Sequence, residues 1–133
     1  MASIFTKIIN REIPAYIVAE DDHTIAILDI NPLVAGHTLV IPKEEVDYLF
    51  DINDESFTRL NLFTKKVAKA IEKVVPCLRI GVAVIGLEVP HAHIHLVPLN
   101  RMADINFSNP KLKFSKEELE GIAKKINKAF TGL

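Results

Sequence analysis

The strongest constraint on the fold is an apolar stripe in mid-chain: Phe57, Leu60, Thr64, Val67, Ile71 and Val74 recur at three- and four-residue steps. That spacing predicts an amphipathic helix with one buried face, and Lys65, Lys66, Lys69 and Lys73 fall largely on its other faces. Asn53 or Asp54 caps its start, because their side-chain oxygens accept from free backbone N–H groups. Pro76 ends it. A helix of this kind needs an apolar surface to cover, and the runs on either side of it supply one. Tyr16-Ile17-Val18, Thr24 to Leu28 and His37 to Ile41 precede it, and Leu78 to Ile85 and His91 to Val97 follow. All are rich in residues that suit pleated, partly buried strands.

The punctuation between these runs fits strands. Glu20-Asp21-Asp22 reads as a hairpin turn and Asn31-Pro32 as a turn or loop. Pro42 closes the third run, Gly86 to Pro90 forms a tight link before the fifth, and Pro98 is expected to stop the fifth. Ile4 to Ile13, broken by Pro14, reads as a short helical turn or an extended docking segment. Glu44 to Phe50 reads as a short helix, and Asn100 to Lys113 as a polar connection over the surface. Ser115-x-x-Glu118 is a capping box that opens a last helix, about 115–130, with Leu119, Ile122, Ile126 and Phe130 as its stripe. Strands with one helix inserted and one appended predict an α+β domain with an antiparallel sheet, a single unit spanning 1–133.

With 49% hydrophobic residues in 133, the chain has enough apolar material for a sizeable core. A formal net charge of −1 with mixed signs argues against a nucleic-acid-binding protein, whose affinity comes from a basic surface. One cysteine, Cys77, closes no intrachain disulfide. No apolar stretch long enough for a bilayer and no leader pattern are visible, so a cytoplasmic protein without a membrane partner is expected.

The chemistry lies in His91-Ala92-His93-Ile94-His95. On a strand, His91, His93 and His95 share a face, with neighbouring imidazoles about 6–7 Å apart. Three stacked imidazoles are hard to justify by packing, because each is bulky, polar and easily charged near neutral pH. Surface histidines are one alternative. A zinc site is another, with His37 as a third ligand, although no carboxylate or thiolate cluster accompanies the run. The reading preferred is covalent catalysis at phosphorus, in which a neutral imidazole nitrogen attacks and its neighbours hold its tautomer and bind phosphate oxygens. Gly86 allows a phosphate close to the backbone of its link. No Walker-type loop or G-x-G-x-x-G occurs.

His91 to Pro98 resembles the signature of the histidine triad superfamily. Ile4 to Ile9, Glu12-Ile13-Pro14, Glu20-Asp21-Asp22, Leu28-Asp29-Ile30-Asn31-Pro32 and Gly36 to Pro42 resemble its Hint-like branch in order and spacing, over about residues 4–98. The resemblance implies a HIT-like fold: an antiparallel sheet, a long central helix and a C-terminal helix, paired as a homodimer. It implies a hydrolase acting on a purine nucleotide or nucleotidyl conjugate. His93 would be the nucleophile at the α-phosphorus, His95 would contact phosphate or leaving group, and His91 and His37 would support the relay. Asp29 would accept from the ribose hydroxyls. Ile4, Phe5, Ile8, Ile27 and Ile30 would line the base slot. A nucleotide-binding regulatory protein with little turnover is the alternative function. A nucleotidyl transferase is disfavoured by His95, since transferase lines commonly carry Gln there.

The chain departs from its relatives in the link before the triad. Leu87 stands where Gln is common, Ile85 lies near an expected Asn, and Glu88 adds an acid beside the phosphate site. Some relatives hold structural zinc through an N-terminal Cys-x-x-Cys and histidines. Ser3 and Thr6 stand at those cysteine positions, so no metal and no cofactor are expected.

Overall fold

The computed structural model describes residues 2–133. Its elements are α1 (Ile4–Ile9), β1 (Ile17–Glu20), β2 (Thr24–Leu28), β3 (Thr38–Pro42), α2 (Asp54–Val74), β4 (Arg79–Ala83), β5 (Ile94–Leu99) and α3 (Lys116–Thr131). Single turns of 3-10 helix lie at Leu49–Asp51 and Met102–Ile105. The strands form one antiparallel sheet in the order β1-β2-β3-β5-β4, the α+β architecture expected from the sequence.

Alternation along the strands sends side chains to two different cores. Val18, Ala26, Leu28, Val40, Ile94 and Leu96 face α2 and α3, meeting Leu60, Phe63, Val67, Ile71, Leu119 and Ile126. Each such side chain stabilises the fold by about 1.5–3 kcal/mol when fully buried. The opposite face carries Ile25, Ile27, Leu39 and Ile41, covered by Phe5 and Ile8 of α1. Cover on both faces explains why every residue of β2 and β3 is buried. Six residues are too few to hold a helix alone. α1 therefore rests on those two buried side chains and on Ser3, whose hydroxyl accepts from the Thr6 N–H.

Asn53 caps α2 by accepting from the Ser56 N–H, and the Ser115 capping box opens α3. Helix α3 packs along β1, where the Asn127 side-chain amide donates to the Val18 carbonyl at 3.1 Å. The other edge strand, β4, carries exposed Val82, and Leu78 just before it is exposed as well. No helix among the described residues is long and apolar enough to cross a membrane.

Four sequence expectations need correction. Glu44 to Phe50 is not a helix; only the turn Leu49–Asp51 forms. The Val46 carbonyl accepts from Ala92 instead of from a following helical N–H, and the Glu45 carboxylate is turned toward α1. The fifth strand starts at Ile94 rather than His91, because the His91 and Ala92 N–H groups bond to Val89 and Val46 in the neighbouring loops. It also runs through Pro98 to Leu99. Pairing with β3 ends at Leu96, so Pro98 sits where β5 has only β4 beside it and its missing N–H is tolerated. Finally, the connection after β5 does not simply run over the surface: Phe107 turns inward and packs edge-on against His95.

Candidate active site

His95 pairs across β5 with Leu39 and so points away from α2, onto the face that α1 shares. His37 lies immediately before β3. Gly36 precedes it at φ +90°, a left-handed conformation that favours glycine, and a Cβ there would come within 2.8 Å of Val75. The His37 and His95 rings meet, with Nε2 of His37 3.0 Å from Nδ1 of His95. His93 stands beside them, its ring centroid 5.0 Å from that of His95. That is closer than an ideal strand would place them, because His93 precedes the strand proper.

Each nitrogen's partner assigns its proton. The Leu33 N–H donates to Nδ1 of His37, so the His37 proton sits on Nε2 and is donated to Nδ1 of His95. His95 therefore carries its own proton on Nε2. The His91 Nε2–H donates to the Pro42 carbonyl at 2.7 Å, and its Nδ1 accepts from the Ser3 hydroxyl at 2.7 Å. The His93 Nδ1–H donates to the His91 carbonyl at 2.8 Å. In a neutral His93 ring, that bond leaves Nε2 with the lone pair.

Burial keeps the supporting imidazoles neutral. It lowers the pKa of His37 against the opposing pull of Asp29, and the Lys111 charge lowers it further. It lowers that of His91 against the Pro42 carbonyl and Glu45. It takes His95 down to about 3, helped by His93 and His37.

A cleft of about 350 Å³ opens at this cluster. His37, His93 and His95 form one wall, and the Ile85 to Val89 link forms the other. Gly86 in that link has φ +71° with open space beside it. Leu87 is 88% exposed. Asp29 lies on the rim: one carboxylate oxygen accepts from the Asn31 N–H, closing the turn, and the other lies 3.7 Å from His37 Nε2.

Of the sequence-predicted residues, Asp29, His37, Gly86, Glu88, His93 and His95 line the cleft. His91 lies behind it, fully buried. Phe5 meets both His91 and His93 edge-on. Ile8 and Ile27 are core residues beneath α1. Ile4 is exposed, and Ile30 is exposed beside a wider groove between α3 and β1. Sequence reasoning missed Phe107 and Lys111 in the cleft wall, and Glu45 behind it. Glu45 alone had a local signal, since an acid three residues beyond the third strand can reach the helix start that the strand packs against.

The N-terminal cluster lacks the donor set of a zinc site. At the N-terminal cluster, the Ser3 N–H and the Thr6 hydroxyl donate to the same Glu45 oxygen, at 2.7 and 2.5 Å, while the Ser3 hydroxyl serves His91. Without thiolates, and with every donor paired, this is a hydrogen-bond clamp rather than a zinc site. Asp29, His37 and His95 bring one ligand atom each within 4.8 Å of one another. There the two imidazoles already share a proton, and a lysine charge acts on them.

The clamp has a pH signature. The Ser3 backbone N–H, then the Thr6 hydroxyl, hold the Glu45 carboxyl down to about 2, below the usual carboxylate range. A depressed carboxyl stabilises the fold above its unfolded pKa, and that stability is lost as pH falls toward the folded value. Urea unfolding of wild type and Glu45→Gln is therefore expected to differ most near pH 7. The gap should narrow between about pH 5 and pH 2; a pH-independent gap would mean the carboxylate charge contributes nothing.

The model of the HIT domain family matches residues 10–102. An uncharacterized HIT-like protein of Borreliella burgdorferi is 36% identical over 132 residues, covering 93% of this chain and 95% of its own. The adenosine 5′-monophosphoramidase of Schizosaccharomyces pombe is 33% identical over 129 residues, covering 96% and 97%. Among solved structures, a Hit-like protein involved in cell-cycle regulation from Bartonella henselae superposes with a TM-score of 0.82 at 36% identity, covering 96% of this chain and 95% of that one.

Proposed function

Because the chain belongs to the HIT domain family, we infer that it is a nucleotide hydrolase that cleaves nucleoside 5′-phosphoramidates or related nucleotidyl conjugates at the α-phosphorus. The observation that carries this reading is the His93 Nδ1–H bond to the His91 carbonyl, which in a neutral ring leaves the lone pair on Nε2 of a residue that lines the cleft. In the first step that nitrogen bonds to the α-phosphorus while the bond to the leaving amine breaks. The His95 Nε2–H hydrogen-bonds the leaving nitrogen, which departs as the amine with a proton taken up from solvent, while His37 holds the His95 tautomer from behind. In the second step water attacks the nucleotidyl-histidine. It releases the nucleoside monophosphate and the free His93 imidazole, and the proton of the water returns to solvent. Asp29 on the rim of the cleft accepts from the ribose hydroxyls. The homodimer forms through the open β4 edge and the neighbouring α2 face, where Leu62 and Val82 are exposed.

One observation favours a second reading, a nucleotide-binding regulator with little turnover. The side chain at Leu87 is apolar and points into solvent, where a hydrogen-bonding group would stabilise developing charge. The two readings separate on one assay. Wild-type protein incubated with adenosine 5′-phosphoramidate is expected to release AMP over many turnovers. Micromolar AMP binding with no release would favour the regulator.

A further inference from the structure

The cleft holds a charge imbalance that the histidines do not resolve. A nucleotide brings a phosphate dianion, yet His37, His91 and His95 are held neutral by burial. Asp29 and Glu88 on its walls are acids. Among the described residues of the lining, the sole lysine or arginine is Lys111.

Lys111 is exposed, but its ammonium is tied to its own loop. Its ammonium donates to the Phe107 carbonyl at 2.6 Å and the Asn109 carbonyl at 3.1 Å. An ammonium has three N–H bonds, so one remains for a ligand. The segment that carries it is tied down. The Asn109 N–H and the Ser108 N–H bond to Asn106, the Asn109 amide reaches the Ala103 carbonyl, and the Leu112 N–H bonds to Pro32. Phe107 then seats the segment against His95 and His37 through edge-on ring contacts.

We propose that Lys111 is the phosphate-recognising residue of this site, its fixed ammonium pairing with the anionic oxygens of a nucleotide 5′-phosphate. The segment after β5 thereby forms a wall that admits phosphorylated nucleosides in preference to the nucleosides themselves. This rests on the nucleotide reading above. The positive charge comes from a permanent cation instead of a protonated histidine, so the triad keeps the neutral tautomers that attack at phosphorus requires.

The test compares AMP with adenosine, which differ only in the phosphate. Calorimetric titration of the full-length wild type is expected to give AMP much the tighter binding. Lys111→Met should weaken AMP by roughly tenfold or more, the usual size of a hydrogen bond to a charged group, and leave adenosine unchanged. Lys111→Arg should recover part of the loss, and the AMP preference of the wild type should shrink as salt is raised. Equal losses for AMP and adenosine would overturn the proposal, because they indicate that Lys111 only braces the Phe107 segment. AMP binding untouched by Lys111→Met would overturn it too, while leaving the nucleotide site standing. Wild type that binds neither compound would overturn the nucleotide reading itself. Thermal melting of each variant checks that the fold is intact.

Discussion

Replacing His93 by alanine is expected to lower kcat/KM for a nucleoside 5′-phosphoramidate by at least ~10³-fold while leaving the protein folded. The loss is large because no neighbour can stand in. His95 presents a proton, His37 is bonded on both nitrogens, and His91 is fully buried with both of its own engaged. The fold survives because the one hydrogen bond of the His93 side chain goes to the residue two places back and joins no two elements. Acid-quenched mass spectrometry adds a second readout: a nucleotidyl adduct on wild type during turnover, absent from the variant. Residual activity within tenfold of wild type would remove His93 from the role of nucleophile.

His91→Ala is expected to damage stability first. The side chain is fully buried and bridges three parts of the chain. It donates to Pro42 at the end of β3, accepts from Ser3 at the start of α1, and lies edge-on to Phe5. Truncation leaves a cavity, a buried carbonyl without its donor and a hydroxyl without its acceptor, which together cost about 3 kcal/mol. Ser3→Ala removes only one of those contacts and should cost roughly 1 kcal/mol. Urea unfolding at pH 7 measures both. A His91→Ala loss within 0.5 kcal/mol of zero, the usual range of a surface substitution, would mean that the bridge does not hold α1 to the sheet. The lowered pKa of His91 adds a sign. Below the ordinary imidazole range the unfolded chain binds protons that the folded chain refuses, so wild type loses stability on acidification through this residue and the variant does not.

What the sequence made legible was whatever depends on near neighbours. Thr24 to Leu28 is a strand at both ends as expected, because alternation and flanking turn residues are local. The caps at Asn53 and Ser115 hold for the same reason. The turn expected at Asn31-Pro32 forms, closed by one Asp29 oxygen while the other stays toward His37. The histidine run reads as strand throughout, and that fails at its start because the His91 N–H turns back to the Val89 carbonyl and the Ala92 N–H goes to the distant Val46 carbonyl. Glu44 to Phe50 failed through the same competition. Phe107 and Lys111 were invisible for a different reason. Nothing around Asn106 to Lys111 distinguishes a surface loop from one that folds back across a sheet, and only the closed chain puts them beside His95 and His37.

The two ends of the sheet are unequal, and this sets a limit on self-association. At β1, helix α3 lies alongside and Asn127 engages the Val18 carbonyl, so a foreign strand finds that rim obstructed. β4 is the opposite edge of the sheet, and among the described residues no strand pairs with its outer side. A sheet with a single accessible rim can be extended only once. Two chains joined at β4 around a twofold axis present α3 at both outer ends, and no third chain can be recruited strand to strand. In a pair of that kind helix α3 would act as a terminator, favouring a closed assembly over open-ended fibres.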